Sequence, residues 1–122
     1  ERLAVGDSLH MHLRTELEAN NVLYASHAKC IYDFNRESSV HSKIKNAPNT
    51  SKARYITEDV PYLFVPFCEL ADLCGVDGPI AKALVTIASY YNDENYMKTG
   101  RTLAKMGFNH WTKQEILEFL EA

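Results

Sequence analysis

The residues best placed to do chemistry lie in one stretch, Arg54-Tyr-Ile-Thr-Glu-Asp-Val-Pro-Tyr62. A guanidinium and a carboxylate five residues apart, flanking a helix start, suit gripping an anion and orienting a partner group. Thr57 has the chemistry of an N-cap, because its hydroxyl can accept from the free N–H groups of a first turn. Glu58 and Asp59 then fall in that turn, where the positive end of the helix dipole favours negative charge. Pro61 suits the same turn, since its missing N–H has no helical partner there. Arg54 is expected ahead of the cap, on extended chain and free to reach outward. The same residues also make an ordinary helix start, and the pattern alone favours that structural reading.

The elements that must hold this stretch read as helices throughout. Residues 1–10 form a helix or its end, weakened by Gly6. Leu13, Leu17, Tyr24, Ala28 and Ile31 recur at helical spacing, with a break expected at Asn20-Asn21 and a second start capped by Ser26. Ser38 or Ser39 opens a short helix through Val40, Ile44 and Lys45, stopped by the turn cluster Asn46-Ala47-Pro48-Asn49.

From Thr57 a helix is expected to run toward Cys74, with Leu63, Phe64, Phe67, Leu70, Ala71 and Cys74 on its apolar side. Pro66 lies inside it and predicts a kink near Tyr62 and Leu63. Gly75 is the natural residue to end it. Asp77 and Pro79 open the next helix, lined by Ile80, Leu84, Val85, Ile87, Ala88 and Tyr91. Asp93 is expected to cap a short helix closed by Gly100, and residues 102–106 to add one helical turn stopped by Gly107. Thr112-Lys-Gln-Glu115 is a capping box, with Trp111 placed to act as a hydrophobic staple on Ile116. No strand alternation is convincing, so the fold class is all-α, with six to eight helices in one domain over residues 1–122.

Composition narrows the function classes. The chain of 122 residues is 46% hydrophobic and 24% charged, as a folded soluble protein is. A formal net charge of −3 gives no electrostatic footprint for nucleic acid, and no apolar run is long enough to cross a membrane. Cys30, Cys68 and Cys74 are odd in number and form no C-x-x-C pair, which fits free thiols in a reducing cytoplasm. His27 and Cys30 could share a helix face, but two ligands do not make a structural metal site. Neither a G-x-G-x-x-G fingerprint nor a G-x-x-x-x-G-K-[ST] loop is present, so a nucleotide would have to be held mainly by another domain. The chain begins at Glu1 without a methionine, which leaves room for a larger parent chain.

The 54–62 stretch, followed by Val65-Pro66, resembles the signature of the opine dehydrogenases, in the C-terminal α-helical domain of the NAD/NADP octopine/nopaline dehydrogenase family. Leu73-Cys-Gly-Val76 with Pro79-Ile80 is similar to the helix junction that follows that signature. Gly100-Arg-Thr-Leu-Ala-Lys-Met-Gly107 resembles its Gly-Arg-Thr-Leu motif, and Glu1-Arg2-Leu3-Ala4 its opening helix. The resemblance is strong from about residue 38 to the end and vague over 10–37. It reverses the preference for a purely structural Arg54 and Asp59.

The resemblance implies a two-domain enzyme that joins an amino acid to an α-keto acid and reduces the imine with NADH or NADPH. An N-terminal Rossmann domain would carry the cofactor. This chain would be the helical, substrate-side partner, of the kind also found C-terminal to the Rossmann domain in 6-phosphogluconate-type dehydrogenases, and inactive alone. Asp59 matches the aspartate paired with a catalytic histidine, and Arg54 the arginine that reaches the cofactor pyrophosphate. That histidine is expected upstream, for none of the five here sits in its context. Thr57, Glu58, Arg101 and Thr102 remain as substrate-binding or site-supporting candidates, Glu58 leaning to dipole or loop pairing and Arg101 and Thr102 to anchoring. Leu63 stands where the family has glycine, which bears on substrate identity. Two other readings stand beside this one: a non-catalytic helical interaction module, and a related two-domain hydroxyacid dehydrogenase.

Overall fold

In a computed structural model of the protein, residues 1–44 and 47–122 are described. The chain divides into two compact units, Glu1–Met11 with Pro48–Ala122, and His12–Ala47. Among the described residues there is no strand. The end of the expected short helix at Lys45, and Asn46 of the turn cluster, lie outside the described residues.

The larger unit contains α1 (Arg2–Ser8), α4 (Arg54–Thr57), a π-helical segment (Val60–Phe64), α5 (Val65–Leu73), α6 (Pro79–Asn92), α7 (Tyr96–Thr99) and α8 (Lys113–Glu121). Its apolar residues form two clusters. In one, Val60, Val65 and Cys68 pack on Ala81, Val85, Ala88 and Tyr96, joining the π segment and α5 to α6 and α7. Burial pushes the Cys68 thiol up from its ordinary value, so it serves here as a small apolar side chain. In the other, Val5 and Leu9 of α1 meet Ala71 and Ile116, with Trp111 and Phe108 alongside.

The chain ends its helices by local chemistry in two places. After α5, Gly75 takes φ +69°. Val76 N–H then bonds to Ala71 O and Gly75 N–H to Asp72 O, the double closure of a Schellman turn. At α8, the Thr112 hydroxyl accepts from Glu115 N–H while the Glu115 carboxylate accepts from the Thr112 N–H. Trp111 lies 5.7 Å from Phe119 and 4.9 Å from Phe108, ring centre to ring centre, and stacks beside Ile116.

The Thr112 N–H and hydroxyl hold the Glu115 carboxyl below its ordinary value. A folded value lower than the unfolded one means the box stabilises α8 above the unfolded value and loses that contribution as pH falls through the folded one. Glu115→Gln is expected to flatten the acid limb of α8 amide protection, followed by hydrogen exchange. Superimposable profiles for the two proteins would contradict this.

Two helix starts differ from expectation. Gly78, not Asp77, precedes α6 and offers no side-chain cap. The Glu1 carboxylate does the capping instead, accepting from Ile80 N–H at 2.6 Å and Ala81 N–H at 3.1 Å. Asp93 ends α6 at φ +52°, and Asn95 caps α7 through Lys98 N–H.

The smaller unit holds α2 (Glu16–Leu23), α3 (Ile31–Glu37) and a 3₁₀ turn (His41–Lys43). Its centre is Phe34, fully buried, with the Tyr24 and His41 rings 5.5 Å and 5.1 Å away. Asn20 and Asn21 lie inside α2 rather than breaking it, and Thr15 with Glu18 supplies its capping box. Asn21 Nδ2 donates to Ala28 O, closing the true break at 24–30. The 3₁₀ turn replaces the short helix expected from Ser38 or Ser39. Ser38 instead takes the N–H groups of Val40 and His41.

Candidate functional site

The 54–59 stretch is helical four residues earlier than its sequence suggests. Ala53 is the N-cap, at φ −62° and ψ 146°, and Arg54 is the first residue of α4. Thr57 is therefore not an N-cap but the last residue of that turn, and its hydroxyl donates back to Ala53 O at 3.4 Å. An N-cap needs extended backbone, whereas Glu58 and Asp59 both keep right-handed helical angles and carry the run on. The acidic pair thus lies within a helical run, not in its first turn, and Arg54 is not on extended chain.

Contacts remote in sequence fix this earlier start. Asn92, 5% exposed at the end of α6, donates from Nδ2 to Ser51 O and to Tyr96 Oη, each at 2.9 Å. Lys52 Nζ returns to Asn92 O at 2.9 Å, a cation at a helix C-terminus. Together they hold the chain just ahead of Arg54. Nothing local to residues 50–53 announces them.

Pro66 shapes the next step. In the π segment Val65 N–H reaches back five residues to Val60 O. In that register the next donor would be residue 66, which as proline has none. Pro61 O is left open and accepts from Arg101 N–H at 2.8 Å. The kink expected near Tyr62 and Leu63 is this inserted π turn, a feature that gathers at functional sites. Gly100 lets the loop come close: a Cβ there would stand 2.7 Å from Pro61 O and 2.6 Å from Tyr96 O. Lys105 Nζ donates to the carbonyls of Lys98, Thr99 and Gly100, and the Glu69 carboxylate accepts from Leu103 N–H. Thr102 takes part through its hydroxyl, which accepts from Lys105 N–H at 3.2 Å. Sequence reasoning passed over Lys105 and Glu69, whose roles depend on partners across the fold.

Asp59 therefore sits on a ridge between two concavities. On one side an apolar groove of about 650 Å³ is lined by Ile56, Val60, Phe64, Leu84, Ile87 and Tyr91 among others, with Asp59 the one charged group among the described residues that line it. On the other, a smaller hollow of about 400 Å³ is lined by Glu58, Asp59, Tyr62, Leu63 and Arg101. Leu63, 60% exposed, forms part of its wall. The Arg101 guanidinium lies over the Tyr62 ring, 5.2 Å from its centre.

The two adjacent acids differ. Glu58 is paired with Arg54, Nε to Oε2, at 3.2 Å. The Asp59 carboxylate is exposed and makes no hydrogen bond or ion pair with any described residue. No three His, Cys, Asp or Glu side chains come together as a metal site among the described residues. No described helix is long and apolar enough to cross a membrane.

Known proteins agree with the family resemblance. Residues 1–92 match the family model described as NAD/NADP octopine/nopaline dehydrogenase, alpha-helical domain. The match takes in residues 10–37, where the resemblance by eye is vague, and stops short of Gly100. "Protein ocs" of Agrobacterium vitis is 33% identical over 106 residues, covering 87% of this chain and 29% of that protein. Vitopine synthase of Allorhizobium ampelinum is 28% identical over 120 residues, 98% of this chain and 33% of its own length. An opine dehydrogenase of an Arthrobacter species is 27% identical over 121 residues, again 33% of its own length. The chain thus spans about a third of the curated relatives it matches. With its all-helical architecture and more than half its length matched, the chain belongs to the α-helical domain family of the NAD/NADP octopine/nopaline dehydrogenases.

Proposed function

We propose that this chain is the substrate-side helical domain of an NAD(P)-dependent opine-type dehydrogenase. Its partner is a Rossmann domain of the same full-length protein, and its substrates are an amino acid and an α-keto acid. The two condense with loss of water to an imine. A nicotinamide held mainly by residues outside 1–122, with Arg54 toward its phosphates, would supply the hydride for the imine carbon, and a proton would complete the secondary amine. The observation that carries the reading is the contrast between Glu58, tied to Arg54, and Asp59, whose exposed carboxylate lies between two concavities without a partner among the described residues. A carboxylate so placed can accept from an imidazole supplied by residues outside 1–122, fix its tautomer and stabilise its protonated form.

Arg54 fits a role on the cofactor phosphates. Its side chain is 79% exposed and that of Glu58 54%. A pair so exposed contributes at most about 1 kcal/mol, and the order Arg then Glu along a helix is the weaker one. An incoming phosphate, which a guanidinium can grip with two parallel bonds, displaces Glu58 at little cost. Arg54→Ala is expected to leave the fold intact and weaken NAD(P)H binding by about tenfold or more, as loss of a charge-assisted hydrogen bond does. A cofactor titration of the full-length protein measures it, and an unchanged Kd would contradict the role.

The same Arg54–Glu58 pair favours the second reading, a non-catalytic helical module in which both side chains serve only local structure. NAD(P)H oxidation by the full-length protein separates the two. The enzyme reading predicts oxidation only when an amino acid and an α-keto acid are both present. Oxidation with a keto acid alone would point to a hydroxyacid dehydrogenase, and none with any pair to the module.

A further inference from the structure

We infer that Arg101 binds a substrate carboxylate in the hollow that it lines together with Asp59. The inference rests on the reading of Asp59 given above and adds to it the group that anchors a co-substrate. Four observations carry it. First, Arg101 is the only cationic residue among the described residues lining the hollow, whose other charged members are Glu58 and Asp59. Without it two acids would face a substrate that itself carries a carboxylate, and like charges repel.

Second, the anchoring of this loop uses the Arg101 backbone and not its side chain. The N–H bonds to Pro61 O because Pro66 leaves that carbonyl open, and Gly100 packs against the same oxygen. The side chain is thereby released from structural duty. Third, that side chain is exposed and pairs with no acid among the described residues. Its contact is with the Tyr62 ring, 5.2 Å from guanidinium to centre. A stack of this kind is weak at an exposed site. It orients the planar group without using its in-plane N–H donors, which match the two oxygens of a carboxylate.

Fourth, the backbone lock ties the Arg101 main chain to the segment that follows Asp59. Tyr62 and Leu63, three and four residues after Asp59, lie in the π segment, and the same segment supplies the carbonyl that holds Arg101. The backbone carrying the acid is thus bonded directly to the backbone carrying the cation.

The carboxylate can come from the α-keto acid or from the amino acid, and steady-state kinetics of the full-length protein tells them apart. Each co-substrate is varied with NAD(P)H and the other saturating, for wild type, Arg101→Gln and Arg101→Lys. The proposal predicts that Arg101→Gln raises the KM of one co-substrate by about ten- to a hundredfold, the range a charge-assisted hydrogen bond supplies. Arg101→Lys raises it less, because the charge stays and the two-pronged contact is lost. The Kd for NAD(P)H and the melting temperature stay at the wild-type values in both, since the backbone bond to Pro61 survives either substitution. Whichever KM moves names the carboxylate. If neither KM moves while the wild type is active, the assignment of Arg101 is overturned and the opine reading stands. If the wild type oxidises NAD(P)H with no pair of co-substrates, the opine reading falls and takes this assignment with it.

Discussion

Asp59→Asn in the full-length protein is expected to lower kcat by about 10²–10⁴-fold, the span that a positioned acid–base pair contributes. The Kd for NAD(P)H is expected to stay within about twofold of wild type, a change of under 0.5 kcal/mol. Asparagine keeps the size of the side chain and loses its charge. It can no longer stabilise an imidazolium, and its amide can offer a donor where the imidazole needs an acceptor. The fold has little reason to change, because the Asp59 carboxylate is exposed and holds no described residue in place. Turnover equal to wild type would remove Asp59 from the chemistry. A parallel loss of cofactor binding would make it a domain-closing residue instead.

The second large effect concerns stability. Gly100→Ala is expected to destabilise the larger unit by about 1–3 kcal/mol, the cost of forcing one extra carbon into a packed position. The new Cβ would meet Tyr96 O at 2.6 Å, Pro61 O at 2.7 Å and Val65 Cγ2 at 3.0 Å. Two of these are backbone atoms of α7 and the π segment, which cannot rotate aside as a side-chain end can. Gly100 lies at φ −65°, so the objection to a Cβ is crowding and not backbone conformation. Thermal unfolding of wild type and variant measures the difference. An equal melting temperature would mean that the 100–107 loop is not seated on Pro61 as described. Gly107, where nothing stands within 4 Å of a built Cβ, gives a control for crowding, although its φ of +94° makes substitution there costly for another reason.

The features legible in the sequence are those whose partners lie a few residues away. The Thr112–Glu115 box, the Gly75 closure and the break imposed by Pro66 follow from residue type and short spacing, and each is present. The helical class follows from apolar periodicity for the same reason. Features decided by distant contacts were not legible. Thr57 has cap chemistry, but Asn92 and Lys52 tie the chain at 51–52 to the end of α6, and Ala53 is the N-cap instead. Asp77 has cap chemistry too, yet Glu1, far away in sequence, takes the free N–H groups of Ile80 and Ala81. In each case a good local signal lost to a better tertiary one.

The candidate site divides along the same line. Arg54 and Asp59 stand out because a cation and adjacent acids in one stretch are visible in one dimension. That Glu58 takes the cation and Asp59 keeps none is a matter of i,i+4 geometry, readable only once the helix start is known. Arg101 comes from a separate loop, brought to the hollow beside Asp59 by contacts remote in sequence, the carbonyl left open by Pro66 among them.

The most direct test of the account is one distance, from the Asp59 carboxylate to the nearest imidazole nitrogen, in a structure of the full-length protein with NAD(P)H bound. The account predicts a hydrogen bond of about 2.6–3.2 Å to a histidine lying outside residues 1–122. An Asp59 carboxylate facing solvent in that closed complex, with no imidazole in reach, would contradict it.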